Sequence, residues 1–257
     1  MSATENSAGI AERYHFSDFT WANYRKLLTL AKGVYEFRDY ASSDQGGRFV
    51  LWRHDVDFSP RGALRFAELE SEEGTTATYF FLLRSRFYNL LDEGSRDVVA
   101  RIAALGHEVG LHFEYDYHGA LGEAGLVDRL REEKEILEAV TGTEVRAFSF
   151  HMPTEATLRF TERTYAGLLN VDSEYFRSHV DHCSDSNGYW RHRRLEDVLR
   201  ETESDRLQVL THPVWWQYEP MPPAERLRLC VDQSGREMLA WYERVASESG
   251  RKANGWE

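Results

Sequence analysis

Strand-like and helix-like segments alternate along this chain of 257 residues, and this alternation restricts its fold more than any other feature. Runs of β-branched, aromatic and other apolar residues predict strands at 48–52, 75–83, 107–112, 145–150 and 207–210. Apolar residues at helical spacing predict helices at 19–31, 59–74, 98–105, 127–142, 154–169 and 224–246. Helices between successive strands imply a parallel sheet with right-handed crossovers. The sequence therefore predicts an α/β fold, as a closed or nearly closed (β/α) barrel, with an open doubly wound sheet as the alternative.

The length and composition of the chain fit a single domain. Hydrophobic residues make up 42% of the sequence, which is enough for a sizeable core. We expect this domain to span 14–250, between a disordered N-terminal tail at 1–13 and a C-terminal tail at 251–257.

The charge balance excludes some classes of partner. Acidic residues outnumber basic ones by 43 to 31, a net charge of −12, which argues against nucleic acid and anionic membrane surfaces. Cys183 and Cys230 form neither a disulfide framework nor a metal-type motif. The sequence shows no secretory signal and no apolar run near the roughly 20 residues of a membrane span. We therefore expect a cytoplasmic protein without membrane insertion, and the sequence leaves a homo-oligomer open.

Two carboxylates and an imidazole follow the first strongly apolar run, in the segment Arg53–Asp57. In an extended backbone, Asp55 and Asp57 lie on one side. Two such charges repel each other unless a cation is present, and a divalent metal can bind one carboxylate and leave the other free as a base. The alternative interpretation is a helix-capping aspartate beside a salt-bridged one, because a helix is predicted from Ser59.

Histidines recur where the predicted strands end, at His54, His112, His151 and His212. A single histidine in such a place is more often a hydrogen-bonded core residue. The ends of parallel barrel strands converge on one face, however, so four of them beside two aspartates indicate a site. Two histidines and a carboxylate are a common ligand set for Zn²⁺, and also for Fe²⁺ or Co²⁺.

These segments resemble, in order, the motifs of the polysaccharide deacetylases of the NodB-homology, carbohydrate esterase 4 type. The resemblance covers about 19–216 and is strongest to the WbmS-like branch, whose first motif is Arg-His-Asp-Val-Asp. The five matching segments are 51–57, 106–114, 148–153, 184–191 and 210–216. The resemblance implies one domain with a distorted (β/α) barrel of about seven units.

The resemblance also implies roles for individual residues. Asp55 corresponds to the catalytic base, Asp57 and His112 to metal ligands, and His212 to the general acid. Asp185, in the fourth motif, corresponds to a residue that supports a catalytic histidine.

The third metal ligand departs from the family pattern. Better-known members carry a second histidine four residues after the first, where this chain has Asp116. His151 replaces the family's arginine in the third motif and is our preferred ligand, with Glu114, Asp116 and His118 as alternatives. The last three are equally well interpreted as polar loop residues.

Further residues are predicted to bind substrate. Arg53 and Arg191 either orient Asp55 or bind an anionic group, since guanidinium binds oxyanions with two hydrogen bonds. Structural ion pairs are the alternative for both. The remaining candidates are Glu114 and three tryptophans that either stack on a sugar or belong to the core, Trp190, Trp215 and Trp216.

The combined prediction is a metal-dependent hydrolase that removes an N-acyl group, foremost N-acetyl, from an intracellular sugar or sugar nucleotide. It would use one divalent metal ion, with Zn²⁺ first and Fe²⁺, Co²⁺ or Ni²⁺ as alternatives. The alternatives are a deformylase or other amidohydrolase acting on a non-sugar amide, and a carbohydrate-binding protein with a decayed active site. A phosphoesterase is less favoured, because it usually needs carboxylates that bridge two metals.

Overall fold

The computed structural model describes residues 9–249, and its centre is one nine-stranded sheet. All neighbouring strands are parallel except β6 and β7. The strands are β1 Glu36–Arg38, β2 Phe49–Val56, β3 Thr78–Leu82, β4 Glu108–Phe113, β5 Ala147–Phe150, β6 Thr164–Tyr165, β7 Leu168–Asn170, β8 Asp181–Ser184 and β9 Arg206–Thr211.

Helices follow most of the strands and cover the outer face of the sheet. They are α1 Trp21–Lys32, α2 Pro60–Glu72, α3 Glu93–Ala104, α4 Glu123–Thr141, α5 Glu155–Leu158, α6 Glu174–His179, α7 Leu195–Glu201 and α8 Pro223–Glu248. None of the helices in residues 9–249 combines the length and the apolar character that a membrane crossing requires.

The sheet curls into a half-barrel. Its strand order is β6-β7-β5-β4-β3-β2-β9-β8, and β1 pairs with the first half of β2. Seven parallel strands, from β7 to β8 along this path, form the barrel wall, and no pairing within residues 9–249 joins its two edges. The predicted α/β fold with a distorted barrel of about seven units is therefore confirmed.

The two faces of β2 have different surroundings. Every residue of this strand is buried, as is usual for a parallel strand that is covered on both sides. Leu51 lies on the concave face in a cluster with Phe80 and Ala147, and the guanidinium of Arg53 lies 5.2 Å from the Phe80 ring. His54 and Val56 alternate to the other face, towards the helices.

Residues that are predicted to begin or end a helix do so in the structure. The Ser59 side chain caps α2, Pro60 is its first residue, and Gly142 ends α4 with a φ of 68°.

The prediction of a helix at 154–169 is largely wrong. This helix is only four residues long, because the chain then turns into β6 and β7 through Gly167, whose φ is 77°. Residues 9–13, placed by the sequence in a disordered tail, are helical, while 1–8 and 250–257 lie outside the described residues.

Gly110 lets the Phe80 ring pack against β4 on the concave face. A Cβ atom at Gly110 would lie 2.4 Å from this ring, and its φ is not in the left-handed region. We expect Gly110→Ala to destabilise the protein by about 1–3 kcal/mol through overpacking, measured by urea unfolding. Gly235→Ala in α8 is the control, since a Cβ there meets nothing within 4 Å. The control should be neutral or stabilising by up to about 1 kcal/mol, and equal effects of the two variants would contradict the prediction.

Candidate metal centre

Three side chains that the sequence selects as metal ligands meet at the mouth of the half-barrel. One ligand atom each from Asp57, His112 and His151 lies within 4.8 Å of the other two. His112 is buried, and the other two side chains are half-buried. This cluster is the arrangement of one carboxylate and two imidazoles that catalytic zinc sites use.

The register of the sheet explains why these residues meet. His112 lies near the end of β4, and Asp57 and His151 directly follow β2 and β5. β4 pairs with β5, and β3 separates β4 from β2, so all three residues lie at the carboxyl edge of adjacent parallel strands. This edge is where parallel barrels carry their active sites.

The hydrogen bonds of His112 leave one ring nitrogen available for a metal. Nδ1 of His112 lies 2.8 Å from the Ser149 hydroxyl, and Nε2 lies 3.2 Å from Oδ1 of Asp57. Within residues 9–249, no well-aligned hydrogen bond satisfies this buried Oδ1, although Nε2 of His112 lies close to it. A divalent cation between these atoms would satisfy this oxygen, and a hydrogen bond at the far nitrogen is the usual support for a ligating histidine. The residues therefore fit the predicted metal.

Asp55 lies beside this cluster but has a different partner. Arg53 donates two hydrogen bonds to its carboxylate, from Nε to Oδ1 at 3.1 Å and from Nη2 to Oδ2 at 2.7 Å. Burial opposes ionisation of Asp55, but Arg53 and then His112 outweigh it, and the pKa of Asp55 is lowered. Asp55 is thus held ionised, 3.6 Å from Nε2 of His112. The sequence predicts a strand that ends at residue 52, which would put Asp55 in the following loop. In the structure β2 continues to Val56, so Asp55 is part of the strand.

His212 and Asp185 form a hydrogen-bonded pair on the other side of Asp57. Nδ1 of His212 donates to Oδ1 of Asp185 at 2.7 Å, and the backbone N–H of His212 also donates to this carboxylate. Burial opposes protonation of His212, but the hydrogen bond and charge of Asp185 outweigh it and raise the pKa to about 9. Nε2 of His212 lies 3.9 Å from Oδ2 of Asp57. Asp185 therefore contacts the histidine that it is predicted to support.

The alternatives for the third ligand are not part of the cluster. Nε2 of His118 donates to Glu133 at 2.7 Å, and its ring stacks on Phe113. Asp116 is exposed in a short 3-10 turn. Glu114 is nearer, with Oε1 3.8 Å from Nδ1 of His151, and its side chain is 34% exposed. Glu114 therefore lies at the mouth beside His151, and its role in binding substrate stays a prediction.

Of the two interpretations of the tryptophans, the structure supports a position in the core. Trp216 is fully buried, and its Nε1 donates to Oδ2 of Asp185 at 2.9 Å. Trp190 is also buried and donates to Asp18 at 2.9 Å. Trp215 is 9% exposed and packs near Phe58, with the ring centroids 5.8 Å apart. All three belong to the aromatic core, so none offers a free face for sugar stacking.

The structure places the two arginines in different surroundings. Arg53 is 2% exposed and is bound to Asp55, so it orients that carboxylate and is not available as a substrate ligand. Arg191 is exposed and lines a different cavity, which contains none of the metal-cluster residues.

His54 faces away from the metal cluster, although the sequence grouped it with the other histidines. Its Nε2 donates to Glu70 at 2.7 Å, and its Nδ1 lies 2.7 Å from the Thr211 hydroxyl. Glu70 is completely buried and also accepts hydrogen bonds from Tyr79, at 2.5 Å, and Tyr24. This cluster, His54, Glu70, Tyr24, Tyr79 and Thr211, is called the buried carboxylate cluster below.

Sequence reasoning missed two residues near the site. Ser149 precedes His151 by two positions in a strand pattern, so alternation could have placed it on the same face. Asp172 accepts from the backbone N–H of Phe150 at 2.9 Å and lies 3.5 Å from Nη1 of Arg53. Asp172 follows β7, in a region whose secondary structure was predicted wrongly, and no motif in the sequence marks it.

No protein-family model and no curated protein matches this chain. Solved structures do match it, among them a CE4 family pseudoenzyme from Bacillus anthracis, at 17% identity and a TM-score of 0.41. That match covers 75% of this chain and 62% of the other, so this chain spans less than two thirds of that protein.

Two further matches cover more of the partner chain. A peptidoglycan deacetylase from Bacillus subtilis matches at 14% identity and a TM-score of 0.45, over 82% of this chain and 98% of the other. A chitin deacetylase from Colletotrichum lindemuthianum matches at 16% identity and a TM-score of 0.44, over 72% and 82%. The matches are to the family that the motifs resemble, while the WbmS-like branch stays a prediction.

Proposed function

We propose that this protein is a metal-dependent hydrolase that removes an N-acyl group, foremost N-acetyl, from a carbohydrate. The observation that carries the proposal is the cluster of Asp57, His112 and His151, in which one buried carboxylate oxygen accepts no well-aligned hydrogen bond from residues 9–249. A second carboxylate, Asp55, which is outside the cluster and is held by Arg53, and a histidine–aspartate pair flank this cluster. That combination of metal ligands, base and acid is what hydrolysis of an amide requires.

Each residue has a distinct role in this proposal. Asp57, His112 and His151 would hold one divalent metal ion, which supplies an activated water and polarises the acyl carbonyl. Asp55 accepts the proton of the attacking water, and Arg53 fixes the direction of its carboxylate. The cost of this arrangement is a weaker base, because Arg53 stabilises the ionised form of Asp55.

His212 is suited to protonate the leaving amine. An amine leaves poorly unless it is protonated, and a histidine with a pKa of about 9 carries a proton at neutral pH. Asp185 holds the ring through Nδ1, which directs Nε2 towards the metal cluster. Acid and base therefore both lie beside the cluster that would bind the acyl group.

The test is acetate release from N-acetylated sugars, free and nucleotide-linked, by wild type and Asp55→Asn. We expect Asp55→Asn to lower the rate by roughly 10²- to 10⁴-fold with its metal content unchanged, since only the proton acceptor is lost. Asparagine keeps the shape of the side chain and one acceptor for Arg53, and thermal unfolding checks that the variant folds. Asp116→Asn is the control, because Asp116 is exposed outside the cluster. An Asp55→Asn variant as active as wild type would refute the assigned base.

The same panel separates the alternatives. Release of formate, or hydrolysis of non-sugar amides alone, would favour the amidohydrolase. Tight sugar binding without hydrolysis by the metal-loaded wild type would favour a carbohydrate-binding protein with a decayed site. The proposal also includes an intracellular substrate and a preference for Zn²⁺. Comparison of free with nucleotide-linked sugars tests the first point, and metal substitution tests the second.

A further inference from the structure

A cavity that contains none of the metal-cluster residues concentrates positive charge in an acidic protein. Its volume is about 560 Å³, within the range of small-ligand sites. It lies around the connection between β8 and α7 and is called the arginine cavity below. Six basic residues line it, Arg13, His15, Arg191, His192, Arg193 and Arg194.

Only part of this charge is neutralised by the protein. Asp197 and Glu201 are the acidic residues of the lining, and they lie 3.8 Å from Arg194 and 3.3 Å from Arg193. Within residues 9–249, Arg13 and Arg191 form no ion pair with a carboxylate. Two guanidinium groups are therefore left to bind an anion, although the whole chain carries a net charge of −12.

The wall of the cavity is held in place by a buried anchor. Asp18 accepts two hydrogen bonds from Arg194, both at 2.7 Å, and one from Nε1 of Trp190 at 2.9 Å. Asp18 is 5% exposed. The segment that carries Arg191 is thus fixed on both sides, which lowers the entropy lost when a ligand binds.

Aromatic rings complete the lining. Tyr14 and Tyr189 contact each other with ring centroids 4.6 Å apart, and both line the cavity. Guanidinium groups suit phosphate because they offer paired N–H donors, and aromatic rings suit the planar or apolar part of an organic ligand.

We propose that the arginine cavity binds a phosphate group on an organic ligand, through Arg191 and Arg13. A nucleoside diphosphate and a phosphorylated sugar both present this chemistry. The cavity would bind such a ligand whether or not the metal cluster hydrolyses amides.

The test is calorimetric titration of the full chain with UDP, glucose 1-phosphate and inorganic phosphate at low ionic strength. We expect Arg191→Ala to weaken binding by roughly 10- to 100-fold, the effect of losing a charge-assisted hydrogen bond. Arg191→Lys should retain part of the affinity, because it keeps the charge without the paired donors. Arg129→Ala, an exposed arginine of α4 outside the cavity, should bind like wild type.

The outcomes distinguish the ligand sources. Tighter binding of UDP than of glucose 1-phosphate would indicate a nucleotide, and the reverse a phosphorylated sugar. No binding of any of the three by the folded wild type would overturn the proposal. Equal weakening in Arg191→Ala and Arg129→Ala would overturn it too, since the attraction would then be a general charge effect.

Discussion

The Asp57→Ala variant is expected to purify without the divalent metal ion that the wild-type chain retains. Wild type should carry about one transition-metal ion per chain, measured by elemental mass spectrometry after purification without chelator. Removal of Asp57 takes away the only carboxylate of the ligand cluster and leaves two imidazoles. The loss of affinity should exceed the roughly 10- to 100-fold that the loss of a supporting group costs.

Two further variants, one expected to weaken metal binding and one expected to leave it unchanged, show whether the loss of metal is specific to the cluster. Ser149→Ala removes the hydroxyl 2.8 Å from Nδ1 of His112 and should weaken metal binding by roughly 10- to 100-fold. Asp116→Ala removes an exposed carboxylate from the segment after β4 and should leave metal content unchanged. If wild type holds no metal and takes up none on addition of Zn²⁺, Co²⁺ or Fe²⁺, the assignment of the cluster fails.

The Glu70→Ala variant is expected to lose about 3–5 kcal/mol of stability, measured by urea unfolding. Glu70 is completely buried and accepts hydrogen bonds from His54, Tyr24 and Tyr79. Its removal leaves these donors buried without an acceptor, which is the costly way to break such a cluster. The matched control is Glu68→Ala on the same helix, whose ion pair with Arg101 is exposed and should cost at most about 1 kcal/mol.

The pH dependence of stability gives an independent check on Glu70. Burial opposes its ionisation, but His54 outweighs this and lowers the pKa of Glu70. A carboxylate with a lowered folded-state pKa stabilises the protein above its unfolded pKa of about 4.3, and this contribution is lost as the pH falls below that value. Glu70→Gln should therefore show a shallower loss of stability in acid than wild type. Identical acid slopes would mean that folding leaves the pKa of Glu70 unshifted, which would contradict the prediction.

The fold and the metal cluster were largely predictable because their signals are local. Hydrophobic runs and the residues at strand ends place Asp57, His112 and His151 at one edge of a parallel sheet. Alternation along β2 also predicts that His54 and Asp55 face opposite sides of the sheet. His54 was nevertheless grouped with the other three histidines, because all four follow predicted strands.

The remaining features depend on contacts between distant parts of the chain. Trp190 and Trp216 look like free aromatic rings in sequence, but each is buried and donates to an aspartate, Asp18 or Asp185. β6 and β7 have two and three residues, too few for a periodic pattern. Arg191 stays a predicted anion ligand, and the cavity that it lines depends on Arg13, which is far away in sequence.

Asp185 accepts hydrogen bonds from both His212 and Trp216, and this sharing links the proton affinity of the acid to the packing of the aromatic core. A substitution that shifts the Trp216 ring changes how much of the Asp185 charge is left to stabilise protonated His212. Substitutions in the core, several side chains from the metal cluster, can therefore shift the pKa of His212, the proposed acid, without contacting the substrate. In this barrel, directed evolution for thermal stability and for the pH range of activity would act on the same residues.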